Sequence, residues 1–113
     1  MTKENAFCRT QYKNGILKVS IKGEIDHHSA VKTREKIDED ILTHRPKEVI
    51  LDLSSVSFMD SSGLGLIIGR AALGQEVGAN VRVRNASERI KKILSMAGVC
   101  RIENLIIEKS KEK

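Results

Sequence analysis

Leu17, Val19 and Ile21 alternate with Lys18, Ser20 and Lys22, a period of two that assigns a strand with one dry and one wet face. Residues 7–12 read as a preceding strand, and Asn14-Gly15 lies between the two runs. Asn-Gly in that position predicts a tight hairpin, because both residues tolerate positive φ. From about residue 27 to 43 the period lengthens to that of a helix. Ala30, Thr33, Ile37 and Ile41 share a stripe, and Asp26 stands ready to cap the first turn. Pro46 stops that helix, and residues 49–53 form a nearly continuous apolar run suited to a strand covered on both faces.

The second half repeats the alternation. Ser61–Val77 predicts a helix whose stripe is Leu64, Ile67, Ile68 and Ala71, with Gly78 as its stop. Gly63, Gly65, Gly69 and Gly74 weaken that helix by about 1 kcal/mol each relative to Ala, which suggests close packing on a sheet. Val81 and Val83 alternate with Arg82 and Arg84 as a further strand. Asn85 followed by Glu88 fits a capping box for a third helix, with stripe Ile90, Ile93, Leu94 and Ala97 and Gly98 at its end. Residues 105–107 make a last short strand. The predicted order is β-β-α-β-α-β-α-β. It describes an α/β fold with a mixed, mostly parallel sheet of four to five strands packed with helices. Leu51, Ile67, Ile68, Ala71, Ile93 and Leu94 are expected in its core.

A length of 113 residues matches one domain, 1–113, with about 108–113 a charged, frayed tail. The net charge of +5 invites a nucleic-acid reading, but the excess is scattered: the Lys-rich tail alternates Lys109, Lys111 and Lys113 with Glu108 and Glu112, and Lys18, Lys22, Arg82 and Arg84 suit outward strand faces. No aromatic platform interleaves with them, so a solvated surface without direct nucleic-acid binding is expected. No apolar run reaches the roughly 18–20 residues of a membrane span, and residues 1–5 lack a signal-peptide core, which predicts a cytoplasmic protein. Cys8 and Cys100 read as buried or half-buried thiols, not a disulfide framework.

Chemistry is sparse. The Gly63-to-Gly69 run lacks the Gly-Lys-Ser/Thr of a phosphate loop and falls inside a helical stripe. His27, His28 and His44 have no metal-ligand spacing with either cysteine, so neither a metal nor a cofactor is expected. Ser61 as a hydrolase nucleophile, with Asp26, Asp60 and His28 nearby, is weakened by the missing G-x-S-x-G elbow. The most informative stretch is Ser57-Phe58-Met59-Asp60-Ser61-Ser62-Gly63-Leu64-Gly65, which joins a strand to a helix and places hydroxyls in the first turn. Helix capping by Asp60 or Ser61 accounts for it without any further role.

That stretch, continued by Ile68-Gly69-Arg70, resembles the signature of anti-sigma factor antagonists of the STAS domain family. Gly23-Glu24-Ile25-Asp26-His27-His28 is similar to a second family segment, particularly in the sporulation stage II AA type. The resemblance implies a regulator that is not an enzyme. Its unphosphorylated form would bind an anti-sigma factor that is also a serine kinase, and so release a sigma factor. Phosphorylation of Ser61 would switch binding off, and a serine phosphatase would restore it. The partner surface implied comprises Asp26, His28, Ser57, Asp60, Ser61, Ser62, Gly63 and Leu64. A ligand- or nucleotide-sensing regulatory STAS domain is the alternative.

Overall fold

Asn14 and Gly15 adopt φ values of 53° and 83° and join strands β2 (Cys8–Lys13) and β3 (Ile16–Ile25) in a two-residue turn, with Lys13 opposite Ile16. The computed structural model describes residues 2–4 and 6–109. After the hairpin come α1 (His27–His44), β4 (Glu48–Met59), α2 (Ser61–Val77), β5 (Asn80–Arg84), α3 (Glu88–Met96), a 3-10 turn (Val99–Arg101) and β6 (Leu105–Ile107). The predicted order is therefore present. One element was not anticipated: β1 (Thr2–Glu4) pairs antiparallel with β2 and makes the sheet six-stranded. Its sequence, Thr-Lys-Glu, carries no apolar signal.

The strands lie in chain order, β1 to β6, antiparallel up to β3 and parallel from β3 onward. Each helix thus connects neighbouring parallel strands. Right-handed crossovers that all step the same way place the helices on one face of the sheet. Burial agrees: Leu17, Val19, Ile21, Val49, Leu51, Val81 and Val83 are buried with Ile37, Ile41, Ile67 and Leu94 in one core. The other face is polar. There Lys18 pairs with Asp52, Arg82 with Glu48 and Glu108, and Arg84 with Glu108. These long side chains bury Ile50 to 7% exposure, so residues 49–53 are covered on both faces as the apolar run predicts. At the other end of the sheet, Thr10 Oγ1 donates to Asp40 Oδ2 at 2.6 Å and Lys36 lies 3.2 Å from the same oxygen, pinning α1 to β2.

Several local expectations need correction. α2 is apolar on most sides, and its buried set is Gly63, Leu66, Ile67, Arg70, Ala71 and Gly74; Ile68 and Leu64 are only half-buried. Arg70 is admitted because it faces Asp38 of α1, nitrogen to oxygen 2.9 Å, although their geometry makes no hydrogen bond. Ile93 is half-buried too, since α3 buries only Ile90 and Leu94. Ser87, not Asn85, caps α3 by accepting from the Ile90 amide; Asn85 adopts φ 61° and donates its side-chain amide to Asp52. Cys8 is buried, whereas Cys100 is exposed. Glu108 is held by Arg84 and by its amide's hydrogen bond to Val83 O, so it is no part of a frayed tail. Residues 110–113 of that tail lie outside the described residues.

Candidate functional site

The last register pair between β3 and β4 is Ile25 with Met59, and the next residue on each strand is an aspartate. Asp26 and Asp60 therefore stand side by side at the carboxyl edge of the sheet, with the Asp60 amide donating to Ile25 O at 3.2 Å. Each caps the helix that follows. Asp26 Oδ1 accepts from the Ser29 amide at 3.0 Å, while Ser29 Oγ accepts from the Asp26 amide and donates to Glu24 O. Asp60 Oδ1 accepts from the Ser62 amide at 2.8 Å. Hydrogen bonding from the Ser29 amide holds the Asp26 carboxyl below the usual carboxylate range, against the opposing effect of desolvation. Asp26 is thus an anion at neutral pH.

Ser61 occupies the first position of α2 and is exposed. Among the described residues nothing hydrogen-bonds to its Oγ. Ser62 is half-buried. Gly63 is fully buried: a Cβ there would overlap the Met59 side chain and press on Ile25 Cγ2 at 3.1 Å. Its lack of a side chain lets α2 descend onto the strand ends. Leu64 is half-buried, Ser57 is exposed on β4, and His28 is exposed in the first turn of α1 with its ring edge-on to Phe7 at 5.8 Å. The structure thus gathers Asp26, Asp60, Ser61 and Ser62 closely, with His28 and Ser57 flanking them.

Two features of this edge escaped the sequence. A cleft of about 270 Å³ runs between the first turns of α1 and α2, lined by His27, Ala30, Val31 and Arg34 on one side and Ser62, Gly65 and Leu66 on the other. Its α1 wall follows an i, i+3, i+4, i+7 spacing beside the core stripe, a signal that the mixed polarity of the residues conceals. Second, the Arg89 guanidinium lies 5.5 Å from the centroid of the Phe58 ring. Thirty-one residues separate them, and nothing local announces the contact. Among the described residues no three His, Cys, Asp or Glu side chains gather as metal ligands would, and no helix is long and apolar enough to cross a membrane. Chemically, the edge offers an exposed hydroxyl at the positive end of a helix, beside two carboxylates.

The sequence profile of the STAS domain matches residues 8–112. An anti-sigma F factor antagonist of Paenibacillus polymyxa is 35% identical over 98 residues, spanning 87% of this chain and 84% of the relative. An anti-sigma-B factor antagonist of Bacillus subtilis is 35% identical over 89 residues, spanning 79% of each. The fold matches the anti-sigma factor antagonist SpoIIAA in its unphosphorylated form, with a TM-score of 0.72, 24% identity and coverage of 92% of this chain and 89% of that one. The phosphorylated form of SpoIIAA superposes with a TM-score of 0.71 at 25% identity, covering 91% and 92%. With the profile spanning nearly every described residue and these relatives spanning most of its length, the chain belongs to the STAS domain family.

Proposed function

We propose that this protein is an anti-sigma factor antagonist switched by phosphorylation of Ser61. Unphosphorylated, it binds an anti-sigma factor that is also a serine kinase and so releases the sigma factor; phosphorylated, it does not bind, and a serine phosphatase resets it. It acts in the cytoplasm and performs no chemistry of its own. Asp26, His28, Ser57, Asp60, Ser62 and Leu64 contribute the surrounding contacts. The observation that carries this reading is the exposed hydroxyl of Ser61 at the first position of α2, one residue beyond Asp60, while Ile67 and Ala71 of the same helix are fully buried.

That placement separates switch from scaffold. A phosphoryl group adds about −1.5 to −2 charge at neutral pH. At a helix N-terminus it meets the favourable end of the dipole, worth about 0.3–1 kcal/mol. The fold therefore tolerates the modification. An interface does not, because the new charge joins Asp60 and the ionised Asp26 and must shed water on docking. Juxtaposed like charges cost several kcal/mol, and each 1.4 kcal/mol is a tenfold loss of affinity. The alternative, a ligand-sensing site beside Asp26 and Ser61, is favoured by the α1–α2 cleft. Its 270 Å³ falls below the roughly 300–1,000 Å³ of small-molecule pockets.

The test is phosphopeptide mass spectrometry after incubation with the anti-sigma kinase and ATP, paired with calorimetric titration of both forms. Phosphate on Ser61 and loss of binding in the modified form are expected. Phosphate on Ser62 alone refutes the site, and equal affinity of the two forms refutes the switch.

A further inference from the structure

We propose that Phe58 and Arg89 form a second docking element for the same partner, a cation-capped aromatic that receives an acidic residue flanked by an apolar side chain. The proposal rests on the antagonist reading above and adds to it the chemistry of the partner's surface.

Four large hydrophobic side chains are exposed among the described residues: Ile16, Leu42, Phe58 and Met96. Helices that return between parallel strands have their C-terminal ends at the opposite edge of the sheet from their N-termini. Leu42 and Met96 lie in last turns, and Ile16 follows the β2–β3 turn, so those three are remote from Ser61. Phe58 alone belongs to the carboxyl edge, three residues before Ser61, and the residue remains 39% exposed. The order of strands fixes what stands on either side. α1 begins after β3, α2 after β4 and α3 after β5, so Ser61 has the start of α1 with Asp26 on one flank and the start of α3 with Arg89 on the other. One flank is anionic and the other cationic.

Arg89 is free to recruit a partner in a way that its neighbours are not. Arg82 and Arg84 are committed to Glu48 and Glu108. Arg89 is exposed and, among the described residues, makes no ion pair; its guanidinium lies against the Phe58 ring. A guanidinium within about 6 Å of a ring centroid is held by the ring's quadrupole, more strongly once water is excluded. Among the described residues no hydrogen bond engages the N–H donors of this exposed guanidinium. Lys92, one turn along α3, is exposed too, whereas Glu88 is engaged by Lys91 at 3.6 Å. The exposed side of α3 therefore complements an acidic group. Glu24, the register partner of Phe58 on β3, is exposed on the other side of the ring and repels an acid approaching from there. The incoming carboxylate must come from the α3 side, with its apolar neighbour over the ring. Aromatic and Arg side chains of this kind dominate the energetics of protein interfaces.

The experiment titrates purified protein against the purified anti-sigma factor kinase of the same genome by calorimetry, using Arg89→Glu, Arg89→Ala, Phe58→Ala and Ser61→Asp. Thermal melts are run beside each titration, and the exposed Arg89 variants are expected to melt with wild type. Arg89→Glu is expected to weaken binding by about 30-fold or more and Arg89→Ala by about tenfold, within the range of interface anchors. Phe58→Ala is expected to match Arg89→Ala, and a Phe58→Ala, Arg89→Ala double variant to lose little more than either single one, because ring and cation act as a unit. If Ser61→Asp loses binding while Arg89→Glu and Phe58→Ala stay within threefold of wild type, the docking element is refuted and the switch stands. If wild type itself fails to bind the kinase, both fall.

Discussion

Gly63 and Gly65 sit two residues apart in α2, yet replacing each by Ala is expected to shift stability in opposite directions. At Gly65 an added Cβ meets nothing within 4 Å. The substitution then acts only by removing the unfolded chain's extra freedom, and Ala exceeds Gly by about 0.5–1 kcal/mol in a helix. At Gly63 the same methyl overlaps Met59 Cγ and Sδ and lies 3.1 Å from Ile25 Cγ2. Met59 and Ile25 are each 2% exposed, so neither has space to withdraw. Overpacking of this kind costs about 1–3 kcal/mol. Subtracting the intrinsic gain leaves Gly63→Ala less stable than wild type by up to about 2.5 kcal/mol, a separation of about 1–3 kcal/mol between the two variants. Urea unfolding followed by far-ultraviolet circular dichroism resolves that difference, and in a domain of this size it corresponds to about 4–8 °C of melting temperature per kcal/mol. Two variants shifted in the same direction would refute the claim that α2 descends onto the strand ends at Gly63.

Three further outcomes are expected. Asp26→Asn keeps a side-chain acceptor at the α1 cap but removes its charge, so the protein should melt near wild type yet be phosphorylated by the partner kinase at a changed rate; an unchanged rate and affinity would confine Asp26 to capping. Desolvation raises the Asp52 pKa, but hydrogen bonds from the Ser54 amide and the Asn85 side chain, with Lys18 nearby, outweigh it and leave the pKa below normal. A depressed folded pKa contributes stability that is present above the unfolded value and lost as pH falls through the folded one, so Asp52→Asn should flatten the acid limb of a stability-against-pH curve below about pH 4. Burial pushes the Cys8 thiol up to about 11, whereas Cys100 is exposed, so Ellman's reagent at pH 8 should titrate one thiol in the native protein and two in denaturant.

What was legible in the sequence was what short segments decide by themselves. Asn14-Gly15 needs only two positive φ values, and Asp26, Asp60 and Gly78 cap helices through atoms two to four residues away. The register of β3 against β4 then brings Asp26 and Asp60 together without further information. Where the sequence misled, a distant group had intervened. Asn85 satisfies a capping pattern but is drawn to Asp52, thirty-three residues earlier, and leaves the cap to Ser87. The buried side of α2 is ambiguous because Leu64, Leu66, Ile67 and Ile68 are apolar around most of the helix. Tertiary contacts resolve it: Gly63 against Met59 and Ile25, and Arg70 facing Asp38. Phe58 and Arg89 are unremarkable residues until the fold stacks them. The proposal that Ser61 is the switch rests on family resemblance; capping alone explains its neighbours equally well.

The agreement between strand order and chain order bears on how the molecule comes to exist. Every strand after the hairpin joins the rim of a sheet already laid down by the residues before it, and none must be inserted between two earlier strands. A ribosome delivering the chain from its amino end therefore presents each β-α-β step with a finished template. The edge that receives each new segment is the newest strand, which that segment then covers. Loop closure is confined to one helix and its flanking turns at a time, which keeps the entropic barrier for parallel pairing low. Truncated nascent chains ending after β4 or after β5 should accordingly acquire protection from proteolysis in steps, from the hairpin outward.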